Sequence, residues 1–393
     1  MTRGGRGRTG ETRRPRVVLD LTPLLGRPTG IGVFTRQLLD GLARRDDLDV
    51  VGYAATWRGR GQLRALAPPT VQVVDRPLPA RPMRALWSRG PFPPLEWLTG
   101  SFDLVHGTNF LVPPTRRAAR LVTVHDLTPV RYPELCSADT LAYPALIERA
   151  WRAGAWIHTD SAYVADEVRQ WLRVGDADAH RVVPIHLGVD PPTSGDPEAG
   201  RQLAGSSRYV LALGTIEPRK GLPDLVRAFD AVAALDDDGR PPGGQVRLVV
   251  AGPDGWGTEA FDRAVAACRH RDRVVRVGWV DDRSRADLLA GAAVLAYPSL
   301  SEGFGLPPLE AMSVGVPVVC SDAGPLPEVA GAAARLVVAG DPDSLAAGLA
   351  EVLDDDTGRQ ARVEAGRRHA AGYRWEDCVT AMAALYRQIL AVG

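Results

Sequence analysis

Six short and almost uninterrupted apolar runs recur in the second half of the chain: YVLALG (209–214), VRLVVAG (246–252), VVRVGWV (274–280), AVLAYPS (293–299), PVVCSD (317–322) and ARLVVAG (334–340). Each is followed by a segment with helical spacing. A strand that is apolar on both faces needs cover on both sides, and strand-helix alternation supplies it in a parallel sheet wrapped by helices. The first half follows the same rule through VVLD (17–20), FDLVHG (102–107), LVTVHD (121–126), WIHTDS (156–161) and VVPI (182–185). Phe34, Leu38 and Leu42 recur at helical spacing directly after the first of these runs. The pattern predicts an α/β fold of two doubly wound, Rossmann-like domains.

Length agrees, since 393 residues exceed one ordinary core of roughly 150 to 200. The stretch GVDPPTSGDPEAGRQLAGSS (188–207) is dense in Gly, Pro and Ser and breaks the alternation. Expected boundaries are a basic arm over 1–15, a first domain over 16–190, a linker over 191–207 and a second domain over 208–372. A C-terminal helix over 373–393 is expected to cross back toward the first domain. Asp341 and either Asp281 or Ser284 sit where helix caps belong.

Charge excludes one class of partner. Lys plus Arg and Asp plus Glu both number 47, so no general field draws the chain to nucleic acid, and any anion site is local. Cys136, Cys268, Cys320 and Cys378 are isolated, which gives neither a zinc knuckle nor a disulfide framework and fits a reducing cytoplasm. No apolar run approaches the roughly 20 residues of a membrane span. The opening MTRGGRGRTGETRRPR lacks the apolar stretch of a signal peptide and reads as an unstructured basic arm, with a lipid-headgroup contact as the alternative. In RPMRALWSRGPFPPLEWLTG (81–100), the aromatics Trp87, Phe92 and Trp97 lie among Arg81, Arg84 and Arg89. They are expected to pack on the first domain; the alternative is a peripheral contact with a membrane or a lipid-linked acceptor. Aspartate runs at 236–238, 281–282 and 354–356 flank helical segments and read as caps and solvated ends, so no metal is expected.

In open α/β sheets ligands bind beyond the carboxyl ends of strands, so two such domains are expected to face each other across a cleft. In GTIEPRKG (214–221), Arg219 and Lys220 stand between a strand and a helix N-terminus, where they can neutralise a diphosphate. In EGFGLPPLEAM (302–312), Gly303 and Gly305 permit close backbone approach and Pro307 or Pro308 suits a first helical turn. Glu302 falls in the irregular part and Glu310 in the first turn, so the two carboxylates address different regions of one extended ligand. One can take sugar hydroxyls and the other a ribose.

Glu302 and Glu310 in this E-x7-E spacing, preceded by Arg219 and Lys220, resemble the retaining glycosyltransferases of the GT-B fold, in particular glycosyltransferase family 4. The resemblance extends to the turn at Gly30 and Gly32, LVTVHD, SAYVADEV from Ser161, GPDG (252–255) and SDAGPLPEVAG (321–331), and covers nearly all of the chain after Pro15. It implies that Arg219 and Lys220 hold the donor diphosphate, that Glu302 contacts the donor sugar and that Glu310 binds the ribose. Backbone N–H groups of Phe304, Gly305 and Leu306 would touch sugar or phosphates, and Gly278 to Val280 would frame the base. His125 would lie near the transferred sugar, oriented by Asp126. His106 would line the acceptor pocket, and the loop at Gly30 and Gly32 would close over the reaction centre. Glu328 is implied to be structural. The implied reaction moves a hexose, most resembling mannose from GDP-mannose, to a glycan or lipid-linked glycan in cell-envelope biosynthesis. Neither cofactor nor metal is required beyond the nucleotide sugar. A nucleotide-sugar 2-epimerase and a non-catalytic binding module are the alternatives. A dehydrogenase is disfavoured, because no G-x-G-x-x-G follows the first strand of either domain.

Overall fold

The alternating pattern resolves into two sheets in a computed structural model that describes residues 13–26, 29–57, 59, 61–74, 76, 79–190, 195–236, 245–355 and 357–392. The first sheet holds β1 (Arg16–Asp20), β2 (Asp49–Tyr53), β3 (Gln72–Val74), β4 (Leu104–Gly107), β5 (Ala119–Val124), β6 (Trp156–Thr159) and β7 (Val182–Pro184). Its order is β3-β2-β1-β4-β5-β6-β7. The second holds β8 (Tyr209–Leu213), β9 (Arg247–Ala251), β10 (Val274–Gly278), β11 (Val294–Tyr297), β12 (Val318–Ser321) and β13 (Arg335–Val337), in the order β10-β9-β8-β11-β12-β13. Pairing is parallel on both sides of β1 and of β8. Both orders reverse direction once, between β1 and β4 and between β8 and β11. Loops that leave such a reversal diverge to opposite faces of the sheet and leave a crevice.

Strands β2 and β3 escape the sequence reading because DVVGY opens on the charged Asp49 and is interrupted by Gly52, and QVV is only three residues long. A second difference lies in the expected linker, where the described residues include a helix, Pro197–Ala204. Asp196 caps it by accepting from the Glu198 N–H at 2.9 Å, and Gly205 closes it in the left-handed region. Apart from the buried Gly200 its breakers sit at or beyond its two ends, so a composition count mistakes their density for absence of structure. Asp341 and Asp281 do cap their helices, accepting from Ser344 and Ser284. Residues 1–12 of the expected basic arm, and Asp237, Asp238 and Asp356, lie outside the described residues.

The chain divides into two compact units, residues 1–122 with 383–393, and residues 123–382. In the first, Val17, Val18, Phe34, Leu38 and Leu42 are all but fully buried around β1 and the helix Gly30–Ala43. The Thr29 hydroxyl caps that helix by accepting from the Gly32 N–H at 3.1 Å. His106 is also core: it is fully buried, its Nδ1 lies 2.7 Å from the Tyr386 hydroxyl, and its ring meets Phe34 edge-on. It therefore presents no atom to an acceptor, contrary to the expectation. The aromatic stretch splits. Trp87 is buried and donates to the Pro93 carbonyl at 3.0 Å, whereas Phe92 and Trp97 are each 57% exposed and stack edge-on at 5.0 Å. Among the described residues no helix is long and apolar enough to cross a membrane.

The second unit has its core over β8 to β13, where Val210, Phe229, Leu248, Val294 and Leu349 are fully buried. Near the end of β5, His158 is fully buried, with Thr123 Oγ1 at 3.0 Å and the Ile185 carbonyl at 3.2 Å. Burial, opposed by nearby Asp160, pulls its pKa from 6.5 to about 4. A histidine that stays neutral when folded binds fewer protons than the unfolded chain between those values. Its contribution is present above pH 6.5 and is lost as pH falls through about 4. A tenfold change in proton affinity is worth about 1.4 kcal/mol, so roughly 3 kcal/mol of unfolding free energy should disappear across that window. Urea melts at pH 7 and pH 4.5 should show this loss in the parent chain and a clearly smaller one in His158→Gln; equal losses would contradict it.

Candidate active site

The loop after β8 and the loop after β11 leave neighbouring strands at the reversal point of the second sheet. They are joined by backbone: the Leu300 N–H donates to the Arg219 carbonyl at 2.7 Å. Gly221 makes that contact feasible, because a Cβ there would sit 2.2 Å from the Pro298 carbonyl oxygen and its φ is +63°. The short 3-10 turn Pro218–Lys220 then aims two cations at the second loop.

Both cations converge on one carboxylate. Arg219 Nη1 lies 2.8 Å from Glu302 Oε2, and Lys220 Nζ lies 2.6 Å from Oε1. The Tyr297 hydroxyl, from the end of β11, donates to the same Oε1 at 2.8 Å. Glu217 completes the cluster, its Oε1 2.6 Å from Arg219 Nε. Burial pushes the Glu302 carboxyl up, but Arg219 and Lys220 outweigh this and hold it far below the usual carboxylate range. Lys220 is drawn below the usual lysine value by burial and by Arg219, against the pull of Glu302. Burial and the adjoining Glu302 raise Tyr297 well above 10, so its hydroxyl remains a donor. Two cations and two carboxylates cancel, which is what allows so much charge to be buried together.

The strand-end histidine meets this cluster inside the same unit. Gly303 packs directly on the backbone of His125: a Cβ at Gly303 would lie 1.8 Å from the His125 carbonyl oxygen. Ser161 donates to the Gly303 carbonyl at 3.0 Å, and the hydroxyls of Thr128 and Ser301 are 2.8 Å apart. His125 is 6% exposed, and its Nδ1 lies 2.6 Å from Asp160 Oδ2. Asp160, not Asp126, orients the ring. Successive side chains leaving a strand point to opposite sides, so the residue after His125 is directed away and instead accepts from the Thr128 N–H at 2.9 Å. The residue that follows the adjacent strand β6 is the one that faces it.

Beyond Glu302 the chain turns through Gly305, left-handed at φ +100°, into the helix Leu306–Val314. Pro307 and Pro308 carry no N–H, and among the described residues no hydrogen bond engages the N–H groups of Phe304, Gly305 or Leu306. They form a short row of donors next to the cation pair. The Phe304 ring itself is buried, packed on His186 and Tyr373. Glu310 is the fifth residue of the helix, so it lies in the second turn and not the first, and it pairs with Arg285. Gly278 ends β10 at φ +78°, with Trp279 beside it 55% exposed. Glu328 accepts from the N–H groups of Ala162 and Tyr163 at 2.8 and 2.9 Å and pairs with His186 at 2.6 Å, a role in holding the helix Ala162–Leu172. Gly30 and Gly32 belong to the first unit, at the start of its first helix. Among the described residues, no three His, Cys, Asp or Glu side chains group as a metal site.

Glu217, Tyr297, Asp160 and Arg285 escape the sequence reading. The first three each stand at or just beyond the end of a predicted strand, a polar residue closing an apolar run, and that position was the available signal.

A two-sheet α/β chain with cations and a carboxylate at such a reversal point has the polar crevice at which open α/β sheets take their ligands. Comparison with known proteins narrows this. Residues 198–369 match the family model for glycosyl transferases group 1, and residues 29–188 match that for a glycosyl transferase 4-like domain. The O-antigen chain mannosyltransferase B of Escherichia coli is 31% identical over 284 residues, covering 70% of this chain and 72% of that protein. The D-inositol 3-phosphate glycosyltransferase of Mycobacterium marinum is 31% identical over 318 residues, or 74% of this chain, which spans 64% of that protein's length. A solved sucrose-phosphate synthase from Thermosynechococcus elongatus superposes with a TM-score of 0.74 at 21% identity, covering 97% of this chain and 100% of that one. The chain belongs to the group 1 glycosyl transferases, family 4-like, with the GT-B fold.

Proposed function

We propose that this glycosyltransferase moves mannose from GDP-mannose to a hydroxyl of a glycan or lipid-linked glycan in cell-envelope biosynthesis, with retention of anomeric configuration. The observation that carries the reading is the convergence of Arg219 and Lys220 on the Glu302 carboxylate beside the unengaged N–H groups of Phe304, Gly305 and Leu306. A sugar diphosphate presents two charged phosphates and vicinal hydroxyls, and this cluster offers donors to the first and a carboxylate to the second. Similarity to an O-antigen mannosyltransferase supports mannose as the sugar.

In the proposed reaction the bond from the anomeric carbon to the β-phosphate oxygen breaks, and its electron pair stays on the phosphate. Arg219, Lys220 and the row of N–H groups meet the charge that develops there, without a metal ion. The acceptor hydroxyl attacks the same face of the short-lived sugar cation, and its proton passes to the departing phosphate oxygen. Glu302 and His125 hydrogen-bond sugar hydroxyls, and Asp160 fixes the imidazole. Glu310 takes the ribose, tied by Arg285 to the helix Asp282–Gly291 that follows Gly278, Trp279 and Val280. In the first unit, Asp20 accepts from the Thr22 N–H at 2.9 Å and from its hydroxyl at 2.5 Å, which fixes the first turn after β1.

Turnover of GDP-mannose by Arg219→Ala, Lys220→Ala and Asp160→Asn checks this. Loss of either cation should lower kcat by about 10²–10³, Asp160→Asn should lower it without abolishing donor binding, and NMR of the product should show the donor's anomeric configuration. Full activity of both cation variants, or an inverted product, would refute the reading.

We also place a peripheral contact with an anionic lipid surface at Leu86, Phe92 and Trp97, which are 47, 57 and 57% exposed, beside the exposed Arg89, Arg116 and Arg117. Leu95 N–H bonds the Pro114 carbonyl, bringing the two stretches onto one surface. Co-sedimentation with phosphatidylglycerol vesicles should fall about tenfold in Phe92→Ser/Trp97→Ser and should be weak with phosphatidylcholine alone. Equal sedimentation of parent and variant would count against it.

A further inference from the structure

Glu217 has no place in the reaction just described, yet its side chain is only 6% exposed and lies against Arg219, one of the two cations that the reaction uses. Its backbone and its side chain do separate jobs. The turn is built by main-chain bonds: Lys220 N–H to the Glu217 carbonyl at 3.0 Å, Ile216 N–H to the Pro253 carbonyl at 2.9 Å, and Gly255 N–H to the Ile216 carbonyl at 3.0 Å. None of these requires a carboxylate at position 217. The carboxylate instead takes the Nε edge of Arg219 at 2.6 Å, while Nη1 is taken by Glu302 at 2.8 Å and the Ser301 carbonyl at 3.2 Å. With Nε and Nη1 gripped from two sides the guanidinium plane is fixed, and Nη2 is the nitrogen without a partner among the described residues.

We infer that Glu217 is a positioning residue for the leaving diphosphate: it fixes Arg219 so that Nη2 is the donor presented to the phosphate, and it keeps the cluster at zero net charge so that the nucleoside diphosphate is released after transfer. The inference rests on the glycosyl-transfer reading above. Its logic is electrostatic as much as geometric. Arg219 and Lys220 without Glu217 are balanced by Glu302 alone, and the surplus positive charge would hold a product that carries negative charge in a site of low dielectric.

Two substitutions separate the two jobs. Glu217→Gln keeps an oxygen that accepts from Nε but removes the charge; Glu217→Ala removes both. The probes are GDP, UDP and ADP by isothermal titration calorimetry, with steady-state turnover of the matching nucleotide sugar. For whichever diphosphate the parent chain binds, Glu217→Gln should tighten binding by about tenfold and lower kcat and KM together, as expected when release becomes slow. Glu217→Ala should lower kcat/KM by about 10²-fold through a misdirected Arg219. Combined with Arg219→Ala it should lower kcat/KM no further, because the loss it causes by misdirection runs through that arginine, while its charge effect acts on diphosphate affinity. Variants within twofold of the parent chain in both affinity and kcat, or losses that multiply in the double variant, would overturn the inference while leaving the transfer reading intact. A parent chain that binds none of the three diphosphates and turns over no nucleotide sugar would overturn the transfer reading, and this inference with it.

Discussion

One carboxylate shared by two cations is the constraint around which the second unit is arranged. Glu302 is buried, and a lone buried carboxylate or a lone buried ammonium would be costly enough to change its protonation or open the structure. Arg219, Lys220 and Tyr297 remove that cost together. The backbone link from Leu300 to Arg219 and the close approach of Gly221 to Pro298 hold the two loops in the register this requires. Such an arrangement is rigid, because each charge is already held by a partner inside the cluster, so on the proposed reading little reorientation is needed when a diphosphate arrives.

Topology puts the cluster where it is. Strands β8 and β11 are neighbours only because the sheet order reverses there, and their following loops are about 80 residues apart in sequence but adjacent in space. The same rule brings His125 and Asp160 together, since each directly follows one of two adjacent strands, β5 and β6. Strand ends thus supply nearly every polar group of the candidate site. The helices and the apolar strand interiors supply a rigid frame for them.

This explains what was legible in the sequence. Eleven of thirteen strands could be read from apolar runs, as could the caps Asp341 and Asp281, because those signals are local. Arg219, Lys220 and Glu302 were legible because loops after strands of an α/β sheet are few and their charged residues stand out. Partnerships were not. That Asp160 and not Asp126 serves His125, and that Glu217 rather than solvent meets Arg219, depend on which strands lie side by side and on the direction of side chains leaving them. His106 shows the opposite failure, a strand-end histidine whose neighbours Tyr386 and Phe34 make it core. Composition likewise concealed the helix Pro197–Ala204, most of whose neighbouring breakers lie at or beyond its boundaries.

The Glu302 carboxylate neutralises the two cations that a diphosphate would engage, so its amide variant should gain affinity for a diphosphate that carries no sugar, where most substitutions in a binding site lose it. Calorimetric affinity of Glu302→Gln for GDP is the most direct test. Freed of its internal counter-charge, the cation pair should bind the diphosphate about tenfold more tightly than in the parent chain. Affinity that is unchanged or weaker would mean that Arg219 and Lys220 are structural partners of Glu302 and do not serve a phosphate at all.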